Sequence, residues 1–428
     1  MKFYSTNKKS AQVSFKEAVI KSLPADNGLY FPVEVPELDF LLLSTIDHYS
    51  LPDIGLEVMR HFCNEDIPGD KLETIIKEVL DFDMPIVEVE KDIHSLELTH
   101  GPTYAFKDVG ARFLARCLGY FNESENKEIT ILVATSGDTG GAVAAGFHNV
   151  PGVKVVILYP SGKVSPLQEK QLTTLGGNIT ALEVSGNFDD CQAMVKKAFL
   201  DADINAKLNL SSANSINVAR WMPQCMYYFA PFIQFGDTDK LVFSVPSGNY
   251  GNITSGMLAK KMGLPIKRFI AASNANDVVP RYLNSGKYEP KPTIATVSNA
   301  MDVNSPSNHP RMLALHDEEF KSIKKDVSGY TLSDEATKTT MKQCYTENDY
   351  ILDPHGAIAY SALKNDLQKK EIGIFLETAH YSKFLPTVND ALDKEIDMPA
   401  FAAELMSKEK VATAIGNDFE GFKTWLLD

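Results

Sequence analysis

Apolar and polar positions along this chain follow two rhythms. Over the first 85 or so residues the pattern is mixed. "SFKEAVIKSL" (14–23) and "LPDIGLEVMRHFC" (51–63) carry apolar residues at helical spacing, and "NGLYFPVEVP" (27–36) reads as a turn followed by an extended piece. A regular alternation then takes over. "EITILVA" (128–134) is a short β-branched run, followed by "TSGDTG" and the small-residue helix "GAVAAGFHNV". "VKVVILYP" (153–160), "NITALEVSG" (178–186), "DKLVFSVP" (239–246), "IKRFIAAS" (266–273) and "EIGIFLET" (371–378) are further strands. Helical stretches fall between them, among them "LQEKQLTTLG", "NFDDCQAMVKKAFL" and "NITSGMLAKKMG". Strands alternating with helices predict an α/β fold with buried parallel sheets covered on both faces. Ligands in such folds bind beyond the carboxyl ends of the strands. The stretch 285–311, rich in Pro, Asn and Ser, predicts a long irregular excursion.

Composition narrows the class without changing it. A chain of 428 residues predicts roughly two or three domains. Hydrophobic residues at 44% and charged residues at 23% are ordinary for a globular protein. The net charge of −14 argues against nucleic acid or an anionic membrane as partner. An anionic ligand must then be held by a local site working against the global field. Cys63, Cys117, Cys191, Cys225 and Cys344 are scattered and form no C-x-x-C pair, which predicts a reducing compartment. The first residues have no signal-type apolar core, and no run nears ~18 apolar residues, so a cytoplasmic protein is expected.

One lysine does not fit its surroundings. "THGPTYAFKDVGARFLARCLGY" (99–120) reads as a buried helix, on which Lys107 shares a face with Thr103, Tyr104, Gly110, Ala111 and Leu114. An unpaired buried charge is costly. Lys107 must snorkel to water, pair with an anion, or carry an amine that reacts.

Several loops at strand ends could hold anions. "VPSGNYGN" (245–252) follows a strand and opens a helix, where glycines admit a close backbone approach and free N–H groups point outward. It matches neither the triphosphate loop nor the dinucleotide fingerprint, so a single phosphate fits better, and a plain βα turn fits equally. "ATSGDTGG" (134–141) offers Ser136, Gly137 and Thr139, and an ordinary N-cap explains it as well. Asp138 is unwelcome there unless it is aimed at a cation. "YPSGKVSP" brings Lys163 and Ser165, and "SSANSINVAR" brings Asn214, Ser215, Asn217 and Arg220. Each could be a surface loop; together, in an acidic protein, they point to an anionic small molecule. Other chemistries lack their marks. The nine histidines form no H-E-x-x-H, "LHDEEF" (315–320) reads as a solvated helix, and no G-x-S-x-G is present.

Taken together, these segments resemble the threonine synthase family of pyridoxal-phosphate (PLP) enzymes, which have the tryptophan-synthase-β-like fold called fold type II. The resemblance spans most of the chain: "SFKEAV…NGLYFP", "HGPTYAFKDVGARF", "ATSGDTG", "YPSGKVSPLQEKQLTTLGGN", "SANSINVAR", "VPSGNYG", "SNAMDV", "DPHGAIAY" and "ETAHYSKF". It implies two three-layer parallel-sheet α/β domains and an N-terminal extension over 1–85. The catalytic region would be 86–390, with a small mobile domain at about 111–220 inserted in a large one (about 86–110 and 221–390). A helical C-terminal extension would occupy 391–428.

The resemblance also implies roles. Lys107 would form the Schiff base with PLP, and a lysine desolvated among apolar groups suits that task. Gly248, Asn249, Tyr250, Gly251 and Asn252 would hold the cofactor phosphate, and Thr378 would contact the pyridine nitrogen. Ser136, Gly137, Asp138 and Thr139 would form the substrate-carboxylate loop. Lys163, Ser165, Asn214, Asn217 and Arg220 would bind the substrate phosphate; Arg112 is a lesser candidate, because its position four residues after Asp108 also suits a helix-face pair. The small residues at 110 and 111 would leave room for a flat cofactor. The implied reaction takes O-phospho-L-homoserine and water to L-threonine and phosphate, the last step of threonine biosynthesis, in a monomer or homodimer. A sister PLP lyase or β-replacement enzyme, and a PLP-binding protein without catalysis, are the rival readings. Two places depart from the family pattern: Tyr250 replaces a frequent phenylalanine, and "ETAHYSKF" differs from the commoner "GTAHPAKF" at three positions.

Overall fold

Three sheets organise the chain, which the computed structural model describes over residues 1–123, 128–236 and 238–428. At the N-terminus, strand Lys2–Ser5 pairs antiparallel with Val13–Ser14 and with Tyr30–Pro32. Helices Phe15–Lys21 and Leu51–Cys63 start where the sequence rhythm predicts. Each opens with a capping box, Ser14 with Glu17 and Ser50 with Asp53, which satisfies N–H groups that helix geometry leaves without partners.

The second sheet has six strands in the order Val327–Thr331, Arg268–Ser273, Leu241–Pro246, Ile372–Glu377, Ile93–Glu97, Ile86–Glu90. The first five run parallel, and the last is antiparallel with an irregular register near Glu88. The third sheet has five parallel strands: Thr413–Ile415, Ile179–Val184, Val153–Pro160, Ile129–Ala134 and Asn209–Ser212. Ile129–Ala134 and Leu241–Pro246 are buried along their whole length, as strands covered on both faces must be. One apolar core fills the space between the two parallel sheets and takes in the N-terminal unit, where Phe15 packs on Phe113 and Phe121. Separate cores cover the outer face of each sheet.

The last residues join the two halves. Helix Leu385–Leu392 packs on the outer core of the six-stranded sheet through Val388, Ala391 and Leu392. Beyond it, Phe401 stacks on Tyr104 at 3.6 Å between ring centroids. Lys410 then bridges Glu169 and Glu183, both at 2.8 Å, and Thr413–Ile415 adds an edge strand to the five-stranded sheet. Helix Phe419–Leu427 closes that sheet's outer core with Phe422 and Leu426. The tail therefore contains a strand as well as helices.

Several local expectations are corrected. The segment 99–120 is not one helix: residues 99–106 are irregular, and the helix runs Lys107–Asn122, so Lys107 is its first residue. Arg112 does not pair with Asp108; its guanidinium takes both oxygens of Asp81, at 2.6 and 2.7 Å. "LHDEEF" is a turn between helices His309–Leu315 and Phe320–Asp326, because Asp317 and Glu318 take positive φ of 55° and 62°. Of the expected irregular stretch 285–311, residues 286–298 and 302–308 are irregular, while Asn299–Met301 form a helical turn and helix His309–Leu315 begins within it; Asn276 exchanges two bonds of 2.8 Å with the Ile294 backbone.

Gly110 does not make room for a cofactor. A Cβ there would lie 2.5 Å from the Arg220 carbonyl oxygen, so the missing side chain lets helix Lys107–Asn122 approach helix Val218–Trp221. Gly110→Ala gains helix propensity and loses more to overpacking against backbone. A net loss of about 1–3 kcal/mol is expected, read as a lower urea midpoint with unchanged slope.

Candidate active site

Lys107 is positioned from three sides by backbone. The Phe106 N–H donates to the Thr378 carbonyl at 2.9 Å, and the His380 N–H donates to the Tyr104 carbonyl at 3.0 Å. These bonds tie the segment to the end of strand Ile372–Glu377, so Thr378 and Lys107 share one end of the six-stranded sheet. The Tyr227 hydroxyl donates to the Phe106 carbonyl, and Gln171 Nε2 donates to the Thr103 carbonyl at 2.9 Å. Asp108 accepts from the Thr103 N–H at 2.8 Å and from its hydroxyl at 2.5 Å, which closes the turn before the helix. Burial raises the Asp108 carboxyl above its ordinary range, against the two Thr103 bonds.

The Lys107 side chain is 18% exposed, and its Nζ lies 3.8 Å from Asp138 Oδ2. Burial lowers its proton affinity; Asp138 opposes that fall, while Lys383 and Arg220 deepen it. Asp138 opens helix Asp138–Phe147 and is buried. Its Oδ1 accepts from the fully buried Lys383 Nζ at 2.9 Å and from Gln168 Nε2 at 2.8 Å. Burial alone would raise the Asp138 carboxyl; Lys383 and Lys107 overcome it and hold the group well below the carboxylate range. The acidic residue in the anion loop is thus aimed at cations. In the same loop, Thr135 Oγ1 accepts the N–H groups of Gly137 at 3.0 Å and Gly140 at 2.9 Å. The N–H groups of Asp138 and Thr139 belong to the first turn, where helix geometry supplies no acceptor. The Ser136 and Thr139 side chains are half-buried beside them.

The loop before helix Gly251–Lys261 has the form of an anion cradle. Tyr250 caps the helix in the left-handed region at φ 61°, so the N–H groups of Gly251 and Asn252 stand at an open helix start. A Cβ at Gly248 would lie 2.6 Å from Met301 Cα, so glycine permits the 300–301 backbone to cover the loop. Asn249 fixes the loop sideways: Nδ2 donates to Ser215 Oγ at 2.8 Å, and Oδ1 accepts from the Ser307 N–H at 2.6 Å and hydroxyl at 2.7 Å. Asn252 Nδ2 donates to the Pro246 carbonyl at 2.8 Å. The Tyr250 hydroxyl shares a 2.6 Å hydrogen bond with Ser273 Oγ, which occupies the polar atom that sets it apart from phenylalanine. The open helix start, with neutral donors and a dry cover, fits a phosphate.

The remaining candidates divide between two walls. Arg220 is buried behind Lys107; Nη1 donates to the Ala213 carbonyl, and Nε has no hydrogen-bond partner. Burial lowers its proton affinity to about 10, so it stays a cation at neutral pH. Asn214 is half-buried on the same loop. Asn217 is fully buried, with Nδ2 donating to Val19 and Ser212 carbonyls and to Ser22 Oγ and Oδ1 accepting from the Ala219 N–H. Its capacity is taken up in fastening the loop to the N-terminal unit. Lys163 is exposed and Ser165 half-buried on a cleft of about 510 Å³, where Lys383 forms part of the facing wall. Ser165 caps helix Pro166–Thr173 and donates to Gln168 Oε1 at 2.9 Å, which links it through Gln168 to Asp138.

Four residues of this network were not read from the sequence as site residues: Lys383, Gln168, Thr135 and Tyr227. Lys383 lies in "ETAHYSKF", where the surrounding polar residues make a lysine look solvated. The one available signal was Asp138, which required a cation.

Comparison with known proteins agrees with this geometry. Residues 90–375 match the family described as pyridoxal-phosphate dependent enzyme, residues 2–80 the threonine synthase N terminus, and residues 356–425 the threonine synthase C-terminal region. A threonine synthase from Serratia marcescens is 46% identical over 413 residues, covering 95% of each chain. The crystal structure of threonine synthase from Escherichia coli superposes with a TM-score of 0.93 at 43% identity, over 100% of this chain and 99% of that one. A PLP-bound threonine synthase from Brucella melitensis superposes with a TM-score of 0.94 at 34% identity, again over 100% and 99%. With a buried lysine beside an anion cradle and this agreement over its full length, the chain belongs to the threonine synthase family of pyridoxal-phosphate dependent enzymes.

Proposed function

We propose that this protein converts O-phospho-L-homoserine and water into L-threonine and phosphate, with pyridoxal phosphate as cofactor. The observation that carries the reading is Lys107, a desolvated amine at a helix start, at the same end of the six-stranded sheet as an anion cradle and under the influence of a buried arginine with an unpartnered Nε. Gly248, Asn249, Tyr250, Gly251 and Asn252 would hold the cofactor phosphate, and Thr378 would face its ring. When bound, the cofactor supplies an electron sink for the charge left as a proton leaves the substrate carbon.

This chain's residues do the rest. The Lys107 amine, its proton affinity lowered by burial, accepts and returns protons at the substrate carbons. Ser136 and Thr139 hydroxyls, with the first-turn N–H groups of Asp138 and Thr139, receive the α-carboxylate; Gly137 shapes the loop, its N–H being bound by Thr135. Arg220, with Asn214, receives the phosphate that leaves, and Asn217 fixes that loop in place. Lys163 and Ser165 close the opposite wall and screen the reacting carbons from bulk water.

In this reading residues 111–220 move as a small domain against the large one, and the enzyme works in the cytoplasm, consistent with five free, buried cysteines. No helix among the described residues is long and apolar enough to cross a membrane.

Lys107→Ala should remove both the visible absorbance of the lysine-linked cofactor and phosphate release from phosphohomoserine; survival of either would overturn the assignment. Arg220→Gln should keep the cofactor absorbance and lose roughly 10²-fold in kcat/KM, the scale expected for one buried charge contact. Competitive inhibition by inorganic phosphate should weaken in the same variant. Phosphate release itself separates this reading from a dehydratase or a β-replacement enzyme, whose substrates carry no γ-phosphate.

A further inference from the structure

Two lysine side chains face one carboxylate at this site. Lys383 Nζ is 2.9 Å from Asp138 Oδ1 with its side chain fully buried, and Lys107 Nζ is 3.8 Å from Asp138 Oδ2. The charged groups that act on Lys107 come from three elements: Asp138 at the start of helix Asp138–Phe147, Lys383 on the turn Tyr381–Phe384, and Arg220 on helix Val218–Trp221. The Phe106 ring lies beside the amine at 5.5 Å.

Within this trio one buried carboxylate balances one buried cation; the neighbouring buried Asp108 is held by the Thr103 N–H and hydroxyl and acts on Lys383 and Arg220. Lys383 is nearer than Lys107 and hydrogen-bonded, while Gln168 holds the same oxygen from the other side. An ammonium at Lys107 would leave the cluster of Lys107, Asp138 and Lys383 with a net positive charge away from water, beside the further cation Arg220. A neutral amine leaves that cluster balanced. We propose that Lys383 is a positioning residue: by occupying Asp138 it keeps that carboxylate from holding Lys107 as an ammonium. Without Lys383, Asp138 would turn to Lys107 and the amine would lose its readiness to react. This rests on Lys107 being the reactive lysine.

Two readouts in the full-length chain test it. Before cofactor is added, the pH at which Lys107 becomes reactive toward acetic anhydride is followed by mass spectrometry of its peptide. After cofactor is added, the pH midpoint of the visible absorbance is followed. Lys383→Met should raise both midpoints by about one unit, a tenfold loss of labelling at fixed pH. Lys383→Arg should restore them, and the double variant Lys383→Met with Asp138→Asn should return them to the native range. Asp138→Asn alone should lower them. Folding of each variant is checked by its circular dichroism and thermal transition, and Lys383→Gln replaces Lys383→Met should the latter not fold. Unchanged midpoints in a folded Lys383 variant overturn the proposal, as does a double variant shifted as far as the single one. If Lys107 is not the cofactor lysine, the absorbance readout stays flat while the labelling shift persists, so the two failures are distinct.

Discussion

Asp138 carries a negative charge buried where water cannot stabilise it, and two halves of the molecule converge to meet it. The carboxylate opens a helix that follows a strand of the five-stranded sheet. Lys383, 245 positions later, comes from the end of a strand in the six-stranded sheet. Removing one partner of such a pair leaves an unbalanced buried charge, at about 3–5 kcal/mol. That penalty makes the pair a registration device: both sheets must be correctly placed before the charge is satisfied. Gln168 extends the same arrangement to the cap of helix Pro166–Thr173, so the wall of the cleft is set by the same contact.

Backbone bonds complement this charge. The irregular segment before Lys107 has its carbonyl and N–H groups matched by Thr378, His380, Tyr227 and Gln171. A non-helical stretch buried in protein must find partners for its peptide groups. Here those partners also fix where the first helical residue begins, and so where its side chain emerges.

Six parallel strands were legible from the sequence because they are short, apolar and mostly buried, whereas Ile93–Glu97, Asn209–Ser212 and Val327–Thr331, with more polar residues, were not. The loops at their ends were legible as candidate anion sites because glycine and hydroxyl residues follow those strands. What stayed hidden depended on partners far along the chain. The helix start at Lys107 is set by Thr378 and Tyr227, more than a hundred residues away, while local periodicity favoured a longer helix. Arg112 had an acidic neighbour at i−4 but took Asp81, because Asp108 was already engaged by Thr103. Gly110 looked like space for a ligand, yet its neighbour is the Arg220 backbone. The edge strand Thr413–Ile415 is three residues long, too short to carry a period of two.

The path of the tail has a mechanical consequence. One end is anchored on the outer core of the six-stranded sheet, and the other is woven into the five-stranded sheet as an edge strand. Between them Phe401 rests on Tyr104, three residues before Lys107. The chain thus spans the same gap that the cleft spans, like a belt fixed at both sides with a finger on the segment before Lys107. Residues 393–399 are the link between helix Leu385–Leu392 on one side and helix Ala400–Ser407 on the other, because Lys410 and Val411 are already fastened to the five-stranded half. The tail therefore touches the segment before Lys107 by a route separate from the cleft, through the Phe401–Tyr104 stack.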